Sequence, residues 1–245
     1  MVFGILLLLG GAVFGANIFI QRHRDKELVS SSENNVESSS TDEGAVTVPS
    51  FDKTTFSNSD PASIWVVVNK LRPLGHKEYA PSDLVSVGNG QQMRKEAADA
   101  LSEMFASAKT AGLAITAQSG YRSYSYQVTV YNREVNSFGQ ATADTESARP
   151  GYSEHQTGLA VDVGGGGCNI DNCFADTTEG KWVAANAYKY GFIIRYTSAK
   201  QSITGYRAEP WHIRYIGKSL ASEMHKEGVE TLEEFFGLPA APNYR

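Results

Sequence analysis

The chain has 245 residues, of which 41% are hydrophobic, and its formal net charge at pH 7 is −5. This is enough apolar material for one well-packed domain. No stretch rich in lysine and arginine accompanies the acidic balance, so we expect no nucleic-acid partner.

The N-terminus begins with an apolar segment. Residues 2–20 carry no charged side chain, and the run is close to the ~20 residues that cross the hydrocarbon core of a bilayer. Residues 1–21 are therefore predicted to be a membrane anchor or signal, with a buried core helix as the alternative. Because Arg22, Arg24 and Lys26 follow this run, the positive-inside rule would leave the rest of the chain in the cytoplasm. We therefore expect Met1 to be an internal start that follows a basic leader.

A polar stretch separates this segment from the main domain. Residues 22–55 are rich in serine and glutamate, a composition that predicts a disordered linker. A folded domain is predicted over residues 56–240. Near its start, residues 64–68 indicate a strand or a buried extended segment, and a turn follows at 72–75.

Two helices with a strand between them are predicted next. Apolar residues at spacings of three and four predict a helix over 92–111, which Gly112 ends. Residues 113–118 then indicate a strand. A second helix is predicted over 123–138 and is ended by Gly139.

The second half mixes short strands with helices. Residues 159–163 indicate a strand on which Asp162 and Ala160 face one side while their neighbours face the other. Asp176 and Glu179 have the spacing of a capped helix start, so a helix is predicted from there to Gly191. The absence of a repeating βαβ pattern favours an α+β fold with a small antiparallel sheet flanked by helices. The remaining predicted elements are strands over 192–196 and 206–215, a helix over 217–226 and a short helix from 231.

Only two cysteines occur, Cys168 and Cys173, and both lie in one glycine-rich loop. With no histidine beside them they cannot complete a structural zinc site. A local disulfide is expected if the domain is exported, and a pair of free thiols is the alternative.

Two of the five histidines stand out by their neighbours. His155 lies seven residues before Asp162, and His212 lies three residues after Glu209. Positions 209 and 212 would face opposite sides of a regular strand, but Pro210 breaks that regularity and allows both side chains to approach one cavity. The other three histidines are weaker candidates because of their settings: His23 in the membrane flank, His76 in a polar loop and His225 on a surface helix.

These residues suit hydrolytic metal chemistry. His155, Asp162 and His212 are of the types that hold one Zn²⁺ with the fourth position left to water. Glu209 is a carboxylate beside them that can act as a base. If the two segments meet in space, the protein is a hydrolase.

The motifs resemble a known family. Ser-Glu-His-Gln-Thr-Gly-Leu-Ala-Val-Asp at 153–162, together with Glu-Pro-Trp-His at 209–212, is similar to the VanY-type D-alanyl-D-alanine carboxypeptidases of the LAS metallopeptidase group (peptidase family M15B). Ser-Gly-Tyr-Arg-Ser-Tyr at 119–124 and Ala-Arg-Pro-Gly-Tyr-Ser at 148–153 extend the likeness, which covers roughly residues 64–228.

The resemblance implies the LAS-type fold, a single Zn²⁺ on His155, Asp162 and His212, and Glu209 as the general base. It also implies that residues 56–240 form a zinc carboxypeptidase domain.

Three further roles follow from the same resemblance. Arg122 would polarise the scissile carbonyl, although a structural arginine that pairs with a buried carboxylate is the alternative. Gln127 and Ser153 would hold the terminal carboxylate of the substrate.

The implied reaction is removal of the C-terminal D-Ala from a peptidoglycan stem peptide. Whether D-Ala or an L-diamino acid precedes the departing residue stays open. The alternatives are a cell-wall endopeptidase of the same fold and a non-catalytic wall-binding domain. We expect a monomer at the extracellular face of the cytoplasmic membrane or in the wall of a Gram-positive bacterium, with the N-terminal segment contacting the membrane.

Overall fold

The computed structural model describes residues 50–245, so the predicted membrane segment and residues 22–49 of the predicted linker lie outside it. Within the described part of the chain, no helix is both long and apolar enough to cross a bilayer.

The folded unit is longer at both ends than residues 56–240. Phe51 packs against the rings of Trp65 and Phe235 at centroid distances of 5.7 Å, and Tyr244 lies against Tyr152 near the C-terminus. Aromatic contacts therefore bring into the domain a few residues that composition alone assigns to the flanks.

The main sheet has five antiparallel strands, which confirms the predicted α+β class. Four of them run in the order β3-β4-β7-β6, and β5 pairs with β4. Every strand pair in this sheet is antiparallel. The strands are β3 Ile115–Ser119, β4 Ala160–Gly165, β5 Cys168–Asn169, β6 Phe192–Tyr196 and β7 Glu209–Tyr215.

A separate two-stranded hairpin corrects the prediction near residue 92. Strands β1 (Leu84–Gly88) and β2 (Gln91–Arg94) pair antiparallel. Asn89 and Gly90 in the connecting turn have φ values of 50° and 72°, a conformation that Asn-Gly adopts readily. Because β2 pairs with β1, the helix predicted from residue 92 begins only at 95.

The helices agree with the predicted ones except at their ends and in two additions. Ser123 caps α2 by accepting from the Tyr126 N–H. Thr177, and not the predicted Asp176, caps α4 by accepting from the Gly180 N–H. The two additional helices, which begin after Gly139 and after Lys200, had no signal in the sequence. The helices are α1 Lys95–Thr110, α2 Tyr124–Phe138, α3 Gln140–Glu146, α4 Thr178–Asn186, α5 Gln201–Thr204, α6 Lys218–Glu227 and α7 Leu232–Phe235.

The hydrophobic core covers one face of the main sheet. Leu159, Val161 and Val163 of the β4 region are fully buried in it. The segment 64–68 is also buried there, but it forms turns and coil and no strand. The indole of Trp65 donates to the Ile216 carbonyl at 2.9 Å and fastens the segment to the sheet. Asp162 lies on the opposite face of β4.

The two cysteines are joined. Cys168 and Cys173 form a disulfide with a Cα–Cα distance of 5.9 Å, as predicted for an exported domain. The bond closes the loop that follows β5.

Candidate active site

The three candidate metal ligands meet on one face of the sheet. Asp162 of β4 is paired with His212 of β7, so both side chains leave the sheet on the same side. His155 comes from a short 3-10 helix, Glu154–Thr157. His212 Nδ1 lies 3.1 Å from Asp162 Oδ1, and His155 Nε2 lies 3.4 Å from Asp162 Oδ2. All three residues are buried, with ligand atoms within 4.8 Å of one another.

The surroundings of His155 fix which nitrogen faces the cluster. Nδ1 lies 2.8 Å from the Gly120 carbonyl oxygen, which can only accept, so Nδ1 carries the proton. Nε2 then presents a lone pair to the cluster and has no hydrogen-bond partner although it is buried. Burial and the nearby Arg122 charge lower the pKa of His155 to about 4. A neutral imidazole with a free inward lone pair is what a metal ligand needs.

His212 is oriented by a carboxylate that we had not predicted. Its Nε2 lies 3.3 Å from Glu154 Oε2, so Nδ1 faces Asp162 and the cluster. Burial lowers the pKa of His212, but hydrogen bonds with Asp162 and Glu154 outweigh it and raise the pKa to about 9. A histidine whose outer nitrogen donates to a carboxylate is the usual arrangement of a zinc ligand.

Glu154 is held in turn by two buried arginines. Arg195 Nε donates to Glu154 Oε1 at 2.8 Å, and Arg214 donates to the same oxygen at 2.9 Å. Arg195 also pairs with buried Glu233 at 2.8 Å. Burial by itself would raise the pKa of Glu154, but the two guanidiniums hold it well below its ordinary range. The sequence signal for this network is an arginine inside each of the strands β6 and β7, next to apolar residues.

The candidate base reaches the cluster through an irregular stretch of β7. The pairing with β6 passes from Ile194–Ile213 to Tyr196–Glu209, so β7 contains two extra residues there. This confirms the predicted break at Pro210, and it brings Glu209 Oε2 to 3.7 Å from His212 Nδ1. Burial, the largest influence, raises the pKa of Glu209 to about 7, the range suited to a general base near neutrality.

Arg122 and Ser153 both line the cleft above this cluster. Arg122 follows β3, and its Nε is buried without a hydrogen-bond partner. It forms no ion pair among residues 50–245, which argues against the structural alternative. Burial lowers the pKa of Arg122. An arginine that keeps donors free in a buried cleft can serve an anionic group of a substrate.

Gln127 is the one predicted site residue that the structure does not bring to the cleft surface. It is fully buried in the first turn of α2, and its amide donates to the Ala148 carbonyl at 2.8 Å. Ser147 and Ala148 form part of the cleft wall. Gln127 therefore supports that wall from behind, because the turn of the helix directs it toward the segment after α3.

The cleft itself has a volume of about 700 Å³. A space of this size accommodates several residues of a peptide and lies in the range of small-ligand sites. Two histidines and an aspartate whose ligand atoms converge, a neighbouring carboxylate and an unpaired arginine are groups suited to a hydrolase, and the first three are of the types that could hold one metal ion.

Comparison with known proteins agrees with this class. Residues 90–218 match the family model described as VanY, D-alanyl-D-alanine carboxypeptidase. YodJ of Bacillus subtilis strain 168, a protein named as a carboxypeptidase, is 45% identical over 188 residues, which cover 72% of this chain and 68% of YodJ. The chain belongs to the VanY-type carboxypeptidases of peptidase family M15B.

Solved structures show the same fold. The LdcB LD-carboxypeptidase is 45% identical, with a TM-score of 0.67, and the match covers 72% of this chain and 87% of LdcB. A mutant VanY D,D-pentapeptidase from a VanB-type vancomycin resistance cassette, in complex with Zn(II), is 31% identical, with a TM-score of 0.63 and coverage of 71% and 98%. The sheet and its helices therefore form the LAS-type peptidase fold.

Proposed function

We propose that this protein is a zinc-dependent carboxypeptidase that removes the C-terminal D-Ala from peptidoglycan stem peptides. The observation that carries the proposal is the buried cluster of His155, Asp162 and His212, with both imidazoles oriented by their outer nitrogens. The Zn(II) complex of the VanY neighbour supports the choice of metal.

The residues divide the hydrolysis among them. His155, Asp162 and His212 would hold Zn²⁺, which would supply Lewis-acid chemistry for activating water and polarising a carbonyl. Glu209, with its pKa near 7, takes a proton from the attacking water and passes it to the leaving amine of D-Ala. The new C–O bond forms at the scissile carbonyl carbon before the peptide C–N bond breaks, so the products are a shortened peptide and free D-Ala.

The remaining groups stabilise the charge that develops during the reaction and position the substrate. The Arg122 guanidinium stabilises the oxyanion that develops on the scissile carbonyl. Ser153, one of the residues that line the cleft, binds the carboxylate by which an exopeptidase recognises the chain end. Gln127 contributes by holding the Ser147–Ala148 wall in place.

The tetrapeptide is the stem that we favour. Over the matched regions this chain is 45% identical to LdcB, named an LD-carboxypeptidase, and 31% identical to the VanY D,D-pentapeptidase. An L,D-carboxypeptidase cleaves between the L-diamino acid and the D-Ala of a tetrapeptide.

The purified protein should be incubated with defined tri-, tetra- and pentapeptide stems, and the products resolved by mass. Free D-Ala should appear, and it should disappear after chelation and return with Zn²⁺. Release that persists in metal-depleted protein would refute the metal mechanism, and internal fragments would indicate the endopeptidase. A protein that binds stems without cleaving any would be the wall-binding alternative.

We further propose that the enzyme works outside the cytoplasmic membrane as a monomer tethered by residues 1–21. The disulfide supports an oxidising compartment. Thiol labelling of denatured protein from intact cells, with and without prior reduction, should show both cysteines protected. Sedimentation of the purified protein tests the monomer.

A further inference from the structure

Ile170 combines two unfavourable features at the edge of the cleft. The residue is 44% exposed, and its φ is 46°. A β-branched residue rarely adopts the left-handed region, because its branched side chain crowds the backbone there. Ile170 also lines the catalytic cleft. Local strain in such a place is characteristic of residues that serve a ligand.

The loop around Ile170 is fixed on both sides. Cys168 and Cys173 close it with their disulfide, and Asp171 accepts a hydrogen bond from the Cys173 N–H at 3.0 Å. Asn169, which precedes Ile170, is paired with Gly164 of β4. Its side chain lies so close to Gly164 that a Cβ on that glycine would overlap it. The exposed isoleucine is therefore held in place and is not the tip of a loose loop.

The sheet register relates this loop to the reacting groups. Strand β4 pairs with β7 through residues 160–162 and with β5 through residues 164–165. Since β3 occupies the other edge of β4 along 162–165, β5 and β7 lie on the same edge. Ile170 follows β5, and Glu209 begins β7. The isoleucine thus enters the cleft on the edge that also carries the base.

The chemistry of a stem peptide limits which of its groups can make an apolar contact with Ile170. The departing D-Ala offers only a methyl group and a carboxylate, and the carboxylate needs polar partners. The side chain of the diamino acid that precedes it in a tetrapeptide contains a run of methylene groups. An isoleucine surface without a hydrogen-bonding group matches that run.

We propose that Ile170 forms the apolar wall of the subsite for the residue preceding the scissile bond, and that it selects an aliphatic diamino acid there. The inference rests on the proposed carboxypeptidase function. Ile170 acts on specificity and takes no part in the chemical step.

The test compares Ile170→Ala with the wild type on two tetrapeptides, one with the diamino acid and one with L-Ala in its place. Removing the apolar contact should lower kcat/KM for the diamino tetrapeptide about tenfold, mainly through KM. The same substitution should change kcat/KM for the L-Ala tetrapeptide by less than about twofold, because no methylene run is present to lose the contact. Phe138→Ala is the matched control, since Phe138 is 61% exposed and does not line the cleft.

Two further variants separate a role in binding from a role in folding. Ile170→Gly removes the side chain and relieves the positive φ, so it should show the same loss in kcat/KM with a melting temperature no lower than that of Ile170→Ala. Replacing both cysteines by serine should reproduce the substrate-dependent loss by freeing the loop. Equal losses on both tetrapeptides, or none, would overturn the inference. A wild type that releases D-Ala from no stem would instead overturn the proposed function.

Discussion

Replacing Glu154 by glutamine should weaken both the fold and the metal site. Glu154 is 2% exposed, and its Oε1 accepts from Arg195 and Arg214, which are both fully buried. Together with Glu233 these residues form a buried group of two carboxylates and two guanidiniums with no net charge. Glu154→Gln leaves one positive charge unbalanced in the interior.

The expected cost follows from the burial. Removing one member of a buried ion pair costs about 3–5 kcal/mol. In a domain of this size that loss lowers the melting temperature by about 10 °C. The metal site should also bind zinc more weakly, because the charged acceptor that orients His212 through Nε2 is gone. Loss of such a partner lowers metal affinity about 10- to 100-fold.

The matched control is Glu233→Gln. Glu233 is fully buried and pairs with Arg195 at 2.8 Å, but it makes no contact with His212. We expect a comparable loss of thermal stability with a zinc affinity within about twofold of the wild type. Thermal unfolding of the metal-free proteins and competition with a fluorescent chelator measure the two quantities. Equal zinc affinities in the two variants would refute the orienting role of Glu154.

Three other outcomes follow from the site. Glu209→Gln should lower the rate of D-Ala release at least about a thousandfold with zinc affinity preserved, because the base is lost and the ligands remain; full activity would contradict the assignment. Arg122→Gln should lower kcat about 100- to 1,000-fold with little change in KM, and an effect on KM alone would make Arg122 a binding group. The pKa of His212 is raised to about 9 in the metal-free protein, so zinc must displace one proton from it, and zinc affinity should rise about tenfold per pH unit between about pH 7 and 9. Calorimetry in buffers of different ionisation enthalpy counts that proton. A zinc affinity that does not change with pH would refute the displacement of a proton.

The parts of the site that follow from the sequence are those carried by short patterns. Asp162 could be placed on the open face of its strand because alternation depends only on neighbours along the chain. The irregularity at Pro210 was visible for the same reason. The hairpin β1–β2 was missed although its Gly-Asn-Gly turn is a hairpin signal, since the apolar spacing of α1 masked it.

Glu154 is a site residue that no short sequence pattern indicates. A glutamate beside a histidine at the start of a short helix is ordinarily solvated, and nothing local indicates that it is buried. Its burial depends on Arg195 and Arg214, which lie 41 and 60 residues further along the chain. Such a carboxylate is recognisable only when the sheet register is known.

That register links stability to the arrangement of the site. Ile193 of β6 is paired with Arg214 of β7, and Ile194 with Ile213. Arg195, two positions after Ile193, therefore lies on the same face as Arg214, and His212 lies there too because it is two positions before Arg214. One pairing of two strands thus places a metal ligand and both arginines that hold Glu154. A slip of one residue in this pairing would put Arg195 and Arg214 on opposite faces of the sheet, and the arginine that turned into the apolar core would have no partner there. The buried network therefore selects the register that builds the site.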